Sequence, residues 1–233
     1  MSRRNKLMKF AEIQSLPFVF ENFSFENPVL YNTPDVIVDN KGKWNPLFFK
    51  NENPIILELA CGGGEYSISL AQNDKDSNYI GIDIKGARIW KGAKYLLEKG
   101  LTNIGFIRSR IELIEHFFAE KELSEIWITF PDPFLKESKS NKRLTSPYFL
   151  DKYAHLLKSS GILHLKTDDD TLMDFSIESI GEHPAFEIVE TYFDLYNDSE
   201  AVKNTNLVNI QTKYEKMHLS NNKTIKYIKA RRI

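Results

Sequence analysis

Leu57-Glu58-Leu59-Ala60-Cys61-Gly62-Gly63-Gly64-Glu65 is the stretch on which the fold turns. An apolar run at 55–59 ends in three consecutive glycines, and a helix-like stretch follows at 66–73. Glycines at a strand-to-helix turn let the backbone approach a ligand and take positive φ without strain. The helix beyond offers its positive end to an anion. A tight turn alone would favour the same residues, so the motif needs support from its surroundings. Ser67 breaks the dinucleotide pattern G-x-G-x-x-G at its third glycine. Glu58 is an acid inside an apolar strand, where an unpaired charge is costly. An amine near the strand end would give it a partner.

Outward from this turn the chain alternates. Strand-like runs lie at 55–59, 79–83, 104–107, 126–130 and 161–167, with helix-like stretches at 66–73, 87–100, 111–119 and 147–159. That rhythm predicts an α/β fold with a mostly parallel central sheet and helices on both faces. Asp168-Asp169-Asp170 suits the amino terminus of a helix over 171–179, where the dipole favours negative charge. Residues 186–194 form another candidate strand, and 225–230 a final one, antiparallel near an edge. Residues 1–50, with weak periodicity, read as a partly irregular extension ahead of a domain over 51–233.

Composition sets the outer limits. The chain has 233 residues, 42% hydrophobic and 12% aromatic, ample for one sizeable core. One cysteine, Cys61, excludes an internal disulfide and a cysteine-based zinc site, and the five histidines show no metal-ligand spacing. The charged amino terminus does not read as a secretory signal, and no run approaches the ~18 apolar residues of a membrane span. A cytoplasmic protein without metal is the expectation. Net charge is −1, yet cations cluster in three places. Arg3, Arg4, Lys6 and Lys9 could form a flexible arm; Lys136, Lys139, Lys142 and Arg143 follow a proline-rich loop; Lys213, Lys216, Lys223, Lys226, Lys229, Arg231 and Arg232 load the end. Brought together they could meet a phosphate backbone; separately each reads as solvated surface.

Asp83, at the end of the second strand, can accept hydrogen bonds from both hydroxyls of a ribose. Nicotinamide and methyl-donor enzymes share that device, so it specifies a ribose and not a reaction. Phe130-Pro131-Asp132-Pro133-Phe134-Leu135-Lys136 follows the fourth strand. The two prolines hold Asp132 nearly rigid and push it out of helical dihedrals. Asp132 therefore either faces a ligand past the carboxyl end of the sheet or caps the next helix. His164, Trp127 and Cys61 read as structural residues.

Glu58, the glycines and Asp83 resemble the first half of a class I S-adenosylmethionine-dependent methyltransferase, with its Rossmann-like fold. Phe130 to Lys136, Lys142-Arg143, Thr167-Asp168 and Thr212-Lys213-Tyr214-Glu215 narrow the likeness to the bacterial tRNA (guanine-N7)-methyltransferase family. The resemblance runs from about Trp44 to the carboxyl terminus. It implies that Glu58, Gly62, Gly64 and Asp83 hold the methyl donor. It also implies that Asp132 is catalytic and lies where donor and guanine meet. Lys136, Asp168, Thr212, Lys213, Tyr214 and Glu215 would contact the target nucleotide, by resemblance a guanine of the tRNA variable loop. The family turn's first glycine is Ala60 here, and its tryptophan after the second proline is Phe134. Where many members carry an aspartate near the adenine, this chain has Arg108-Ser109-Arg110, so a backbone amide of Arg110 or Ile111 would serve instead.

Guanine N7 has a free lone pair and no proton to lose, so the implied reaction needs no general base. It needs in-line placement of the sulfonium methyl. Three other readings stay open: a methyltransferase of the same fold acting on a small molecule or protein, a nicotinamide-dependent oxidoreductase, and a non-catalytic RNA-binding module. Oligomeric state is not legible.

Overall fold

Every residue of the strand Ile55–Leu59 is buried, and the first part of the molecule is built outward from it. The structure, a computed structural model, describes residues 3–203 and 205–233, with the side chains at 3–6, 205 and 206 left undescribed. The chain divides into two compact units, residues 1–122 and 123–233.

The first unit contains α1 (Arg3–Ile13), β1 (Val19–Glu21), β2 (Leu30–Thr33), β3 (Val36–Val38) and β4 (Ile55–Leu59). It continues with α2 (Glu65–Asn73), β5 (Asn78–Asp83), α3 (Gly86–Lys99), β6 (Ile104–Arg108) and α4 (Ile114–Phe117). Its strands lie in the order β3-β2-β1-β6-β5-β4. The last four are parallel, and β2 and β3 add antiparallel strands at the far side. Residues 1–50, which the sequence suggested as a partly irregular extension with short elements, hold α1 and the three short strands β1, β2 and β3. Their periodicity is weak because each strand is only three or four residues long. Phe20, Trp44 and Phe49 belong to the core, whereas Phe23 and Phe25 are exposed. Trp44 is fully buried, donates its indole N–H to the Phe117 carbonyl at 2.9 Å, and packs edge-on against Phe20 with ring centres 4.9 Å apart. The helix expected over 111–119 is a 3₁₀ turn followed by the single-turn α4.

The second unit contains β7 (Leu123–Thr129), α5 (Pro147–Leu156), β8 (Leu157–Thr167), α6 (Asp170–Gly181) and β9 (Phe186–Tyr192). It closes with α7 (Thr205–Asn209), α8 (Lys213–Ser220) and β10 (Lys226–Arg232). Strand order is β7-β8-β10-β9, with β7 and β8 parallel and β10 antiparallel to both neighbours, as expected for the last strand. Residues 157–159, expected as helix, belong instead to β8. Trp127 and His164, opposite each other in register, stack at 3.7 Å and only 5° apart. The imidazole bonds Tyr227 Oη at 2.7 Å and Glu125 at 3.2 Å. Burial pushes its pKa down, with Glu125 opposing, so His164 is a packed structural residue.

Among the described residues no helix is long and apolar enough to cross a membrane, and no cluster of His, Cys, Asp or Glu could hold a metal ion.

The amino-terminal helix is no free arm. Glu12 accepts hydrogen bonds from Trp90 Nε1 and Lys94 Nζ, each at 2.7 Å, which clasps α1 to α3. Lys9 lies over the Trp90 ring at 4.1 Å. The Arg3, Arg4 and Lys6 side chains of the expected arm lie outside the described residues. The hydrogen bonds from Lys94 and Trp90 hold the Glu12 carboxyl below its ordinary value of 4.5. A depressed carboxylate stabilises above its unfolded pKa and loses that effect as pH falls through the folded one. The clasp should therefore hold at neutral pH and release only in acid. Glu12→Gln should speed tryptic cleavage after Lys9 at pH 7 without changing helix content by circular dichroism. Unchanged cleavage would mean that the clasp does not hold α1.

Candidate functional site

In the first unit the turn after β4 is held by two buried carboxylates. The chain leaves β4 through Ala60 at φ 55°, then passes Gly62 at φ 60° and Gly64 at φ 70°. Ala60 thus occupies a left-handed position that favours glycine. The Cys61 amide donates to the Ile82 carbonyl at 3.0 Å, keeping the turn beside β5. Asp83, only 6% exposed, accepts from the Gly62 amide at 2.9 Å and from the Lys85 amide at 2.6 Å. A Cβ on Gly92 would collide with the Gly63 carbonyl, so α3 packs directly against the turn.

Glu58, 3% exposed, accepts from the Ser67 amide at 3.0 Å and from the Ser67 hydroxyl. The serine that breaks the dinucleotide pattern therefore answers the buried acid, a role the sequence does not announce. Burial pushes the Cys61 thiol up, which leaves a poor nucleophile. Arg110 leaves β6 with its backbone extended, while its guanidinium pairs with Glu112 at 3.0 Å and lies over the Phe25 ring at 5.2 Å.

These residues fit an adenosine-bearing methyl donor. A carboxylate can accept about four hydrogen bonds, and the Gly62 and Lys85 amides use two of those on Asp83, leaving acceptor capacity for a pair of ribose hydroxyls. At the amino end of α2, Gly64 packs on the Phe106 ring, whereas a Cβ on Gly62 would meet nothing nearer than Arg88 at 3.8 Å.

In the second unit β7 gives way to a loop with two non-glycine residues in the left-handed region, Phe130 at φ 50° and Phe134 at φ 44°. Asp132 between them is exposed and, among the described residues, makes no hydrogen bond or ion pair. It caps no helix: the next turn starts after Lys136 without a side-chain cap, and Ser146 precedes α5. Arg143 corrects the expectation of a phosphate-facing cation. It is 2% exposed, donates to the Pro133 carbonyl at 3.1 Å and the Phe134 carbonyl at 3.2 Å, and lies over the Phe175 ring at 4.4 Å. It straps the loop from beneath. Lys136, Lys139 and Lys142 stay exposed.

Thr212 to Glu215 is no mere surface segment. Thr212 caps α8, accepting from the Glu215 amide at 3.1 Å, and Glu215 reaches back to the Thr212 amide, closing a capping box. Glu215 is fully buried, paired with Lys166 at 2.5 Å and accepting from Tyr196 Oη at 2.7 Å. Its carboxylate points inward, whereas Lys213 and Tyr214 face outward. Asp168 is mostly buried, meeting Lys223 at 2.5 Å and His218 at 3.3 Å, while Asp169 caps α6. The carboxyl-terminal cations are largely consumed too: Lys226 pairs with Asp170, Lys229 with Glu190 and Arg231 with Glu187.

Arg143→Leu would leave two carbonyls without their donor, each worth about 1–3 kcal/mol when buried. It should lower stability by about 2–4 kcal/mol in urea unfolding, and Arg143→Lys, lacking the planar fork, should recover less than half of that. A loss under about 1 kcal/mol for Arg143→Leu would show that the loop does not depend on this strap.

The chain matches the family model described as "Putative methyltransferase" over residues 52–228. It is 46% identical to the tRNA (guanine-N(7)-)-methyltransferase of Christiangramia forsetii, with 98% of each chain covered. In fold it is similar to the 16S rRNA methyltransferase KamB, at TM-score 0.60 and 11% identity, covering 85% of this chain and 96% of that one. It is also similar to geranyl diphosphate C-methyltransferase from Streptomyces coelicolor, solved with S-adenosyl-L-homocysteine, at TM-score 0.53 and 12% identity, covering 78% of this chain and 70% of that one. Those two likenesses speak for the class I Rossmann-like fold. The 46% identity to the Christiangramia enzyme over nearly the whole of both chains, with the family-model match, establishes that the chain belongs to the tRNA (guanine-N(7)-)-methyltransferase family.

Proposed function

We propose that this protein, acting in the cytoplasm, transfers a methyl group from S-adenosylmethionine to N7 of a guanine in the tRNA variable loop, with residues 51–233 as the methyltransferase domain. The observation that carries the reading is Asp132, an exposed carboxylate held between two left-handed turns by the buried Arg143. A charge fixed in that way suits electrostatic work.

The donor supplies an electrophilic methyl, and the protein's task is to hold and orient. Asp83 takes the ribose hydroxyls, and the turn at Gly62 and Gly64 takes the amino-acid end. Glu58 keeps that turn and α2 together through Ser67. A backbone amide at Arg110 or Ile111 serves the adenine, since the Arg110 guanidinium is engaged by Glu112 and Phe25. Asp132 accepts from the guanine N1–H and amino group and offsets positive charge developing on the purine; it abstracts no proton. Lys136 and Lys213 meet phosphates, and Tyr214 offers a ring for an exposed base. Asp168 holds His218 and Lys223 in place, and Thr212 and Glu215 set the start of the helix that presents Lys213 and Tyr214.

Incubation with labelled donor and unmodified tRNA, followed by nucleoside mass analysis, should yield 7-methylguanosine. Affinity for tRNA should fall steeply with added salt, because phosphate contacts release counterions. Asp132→Asn should reduce kcat by roughly 10²–10³, the scale of losing one preorganised electrostatic contact. Its affinity for S-adenosylhomocysteine by calorimetry should stay within about twofold of the parent. Near-full activity in that variant would remove Asp132 from the reaction.

A further inference from the structure

Lys166 plays no part in the reading above, yet it is fully buried in β8, and so is its partner Glu215. Its ammonium donates to the Leu207 carbonyl at 3.0 Å and pairs with Glu215 at 2.5 Å. Its own carbonyl accepts the Phe130 amide at 2.8 Å, at the first residue of the loop that carries Asp132. Glu215 passes the constraint on through the Thr212 capping box to the start of α8. A second tie runs the same way: the Phe130 ring stacks on His218 of α8 at 6.0 Å, and Asp168 holds His218.

Burying an ion pair is a poor route to stability, because desolvation of both charges offsets their attraction and an apolar pair of similar volume does as well or better. What a buried pair does supply is a fixed direction. One residue here holds the proline–aspartate loop by its main chain and the α8 amino terminus by its side chain.

We propose that Lys166 is a positioning residue for RNA: through Glu215 it sets Lys213 and Tyr214 at a fixed distance and angle from the Asp132 loop, so that a single nucleotide meets both. This rests on the tRNA-methylating reading. The residue touches neither donor nor base; it acts through the helix it orients.

The test compares Glu215→Gln, Lys166→Met and the neutral pair Lys166→Met/Glu215→Gln with the wild type. Read for each are the urea midpoint, S-adenosylhomocysteine affinity by calorimetry, and KM and kcat with unmodified tRNA. The neutral pair keeps a carbonyl oxygen for the Thr212 amide, offers its side-chain NH2 to Tyr196 Oη as acceptor, and leaves no buried charge unpaired, so it should fold even where a single substitution fails. The expected result is a folded variant whose S-adenosylhomocysteine affinity stays within about twofold while its KM for tRNA rises about tenfold or more, the factor that ~1.4 kcal/mol of lost binding gives. A folded variant with wild-type KM and kcat overturns the proposal. So does an equal loss in cofactor affinity and tRNA KM, or the failure of all three variants to fold, since either makes Lys166 merely structural. A wild-type protein that does not methylate tRNA removes the underlying reading; one that does, beside variants that keep its KM, removes only the role of Lys166.

Discussion

The turns after β4 and β7 leave their strands through left-handed residues that are not glycine, and buried charges hold them there. Ala60 after β4 and Phe130 after β7 take φ of 55° and 50°, a conformation that costs an L-residue about 1–2 kcal/mol. Such a backbone persists only where its surroundings over-determine it. After β4 those surroundings are the Asp83 carboxylate on the Gly62 amide and the Glu58 carboxylate on Ser67. After β7 they are the Arg143 guanidinium on two loop carbonyls. In each case a charge that would be costly to bury alone is satisfied by the backbone it restrains, so the solvation of the charge and the shape of the turn depend on each other.

The same economy governs the carboxyl-terminal motifs. Asp168 and Glu215 resemble nucleotide contacts when met as letters, but in the fold each is engaged by neighbours within its own unit. What they orient is α8, with Lys213 and Tyr214 outward, and the Phe130–His218 stack. The cation count contracts in a parallel way. Lys226, Lys229, Arg231 and Arg143 are spent on internal partners, whereas Lys136, Lys139, Lys142 and Lys216 keep exposed positions. A chain with net charge −1 can present a basic surface if its acids preferentially pair with those cations that are not needed for binding.

Much of this was legible in the sequence, for reasons that can be stated. Fully buried strands are short apolar runs, and β4 and β5 fall at 55–59 and within a residue of 79–83 because only Glu58, Asn78 and Asp83 interrupt or bound their apolar runs. Asp169 and Asp170 marked the start of α6 because the helix dipole favours acids at its amino end. Residues 1–50 were harder: three- and four-residue strands are too short to show a period, and Trp44 and Phe20 betray burial without betraying geometry. The end of α5 was also missed, since Lys158, Ser159 and Ser160 read equally well as a last helical turn or as the exposed start of β8.

The sequence by itself determined the alternation of strand and helix, the glycine turn, the proline-locked acid and the family, because each is a local pattern of residue types. Tertiary structure alone decided which charges face solvent. Arg143 and Lys142 are adjacent letters of the same sign, yet one is buried under a loop and the other is exposed. The difference lies in the carbonyls of Pro133 and Phe134, whose positions come from the fold of the loop and not from the order of the residues. Partnership of that kind depends on distances across the chain, and a linear pattern does not contain them.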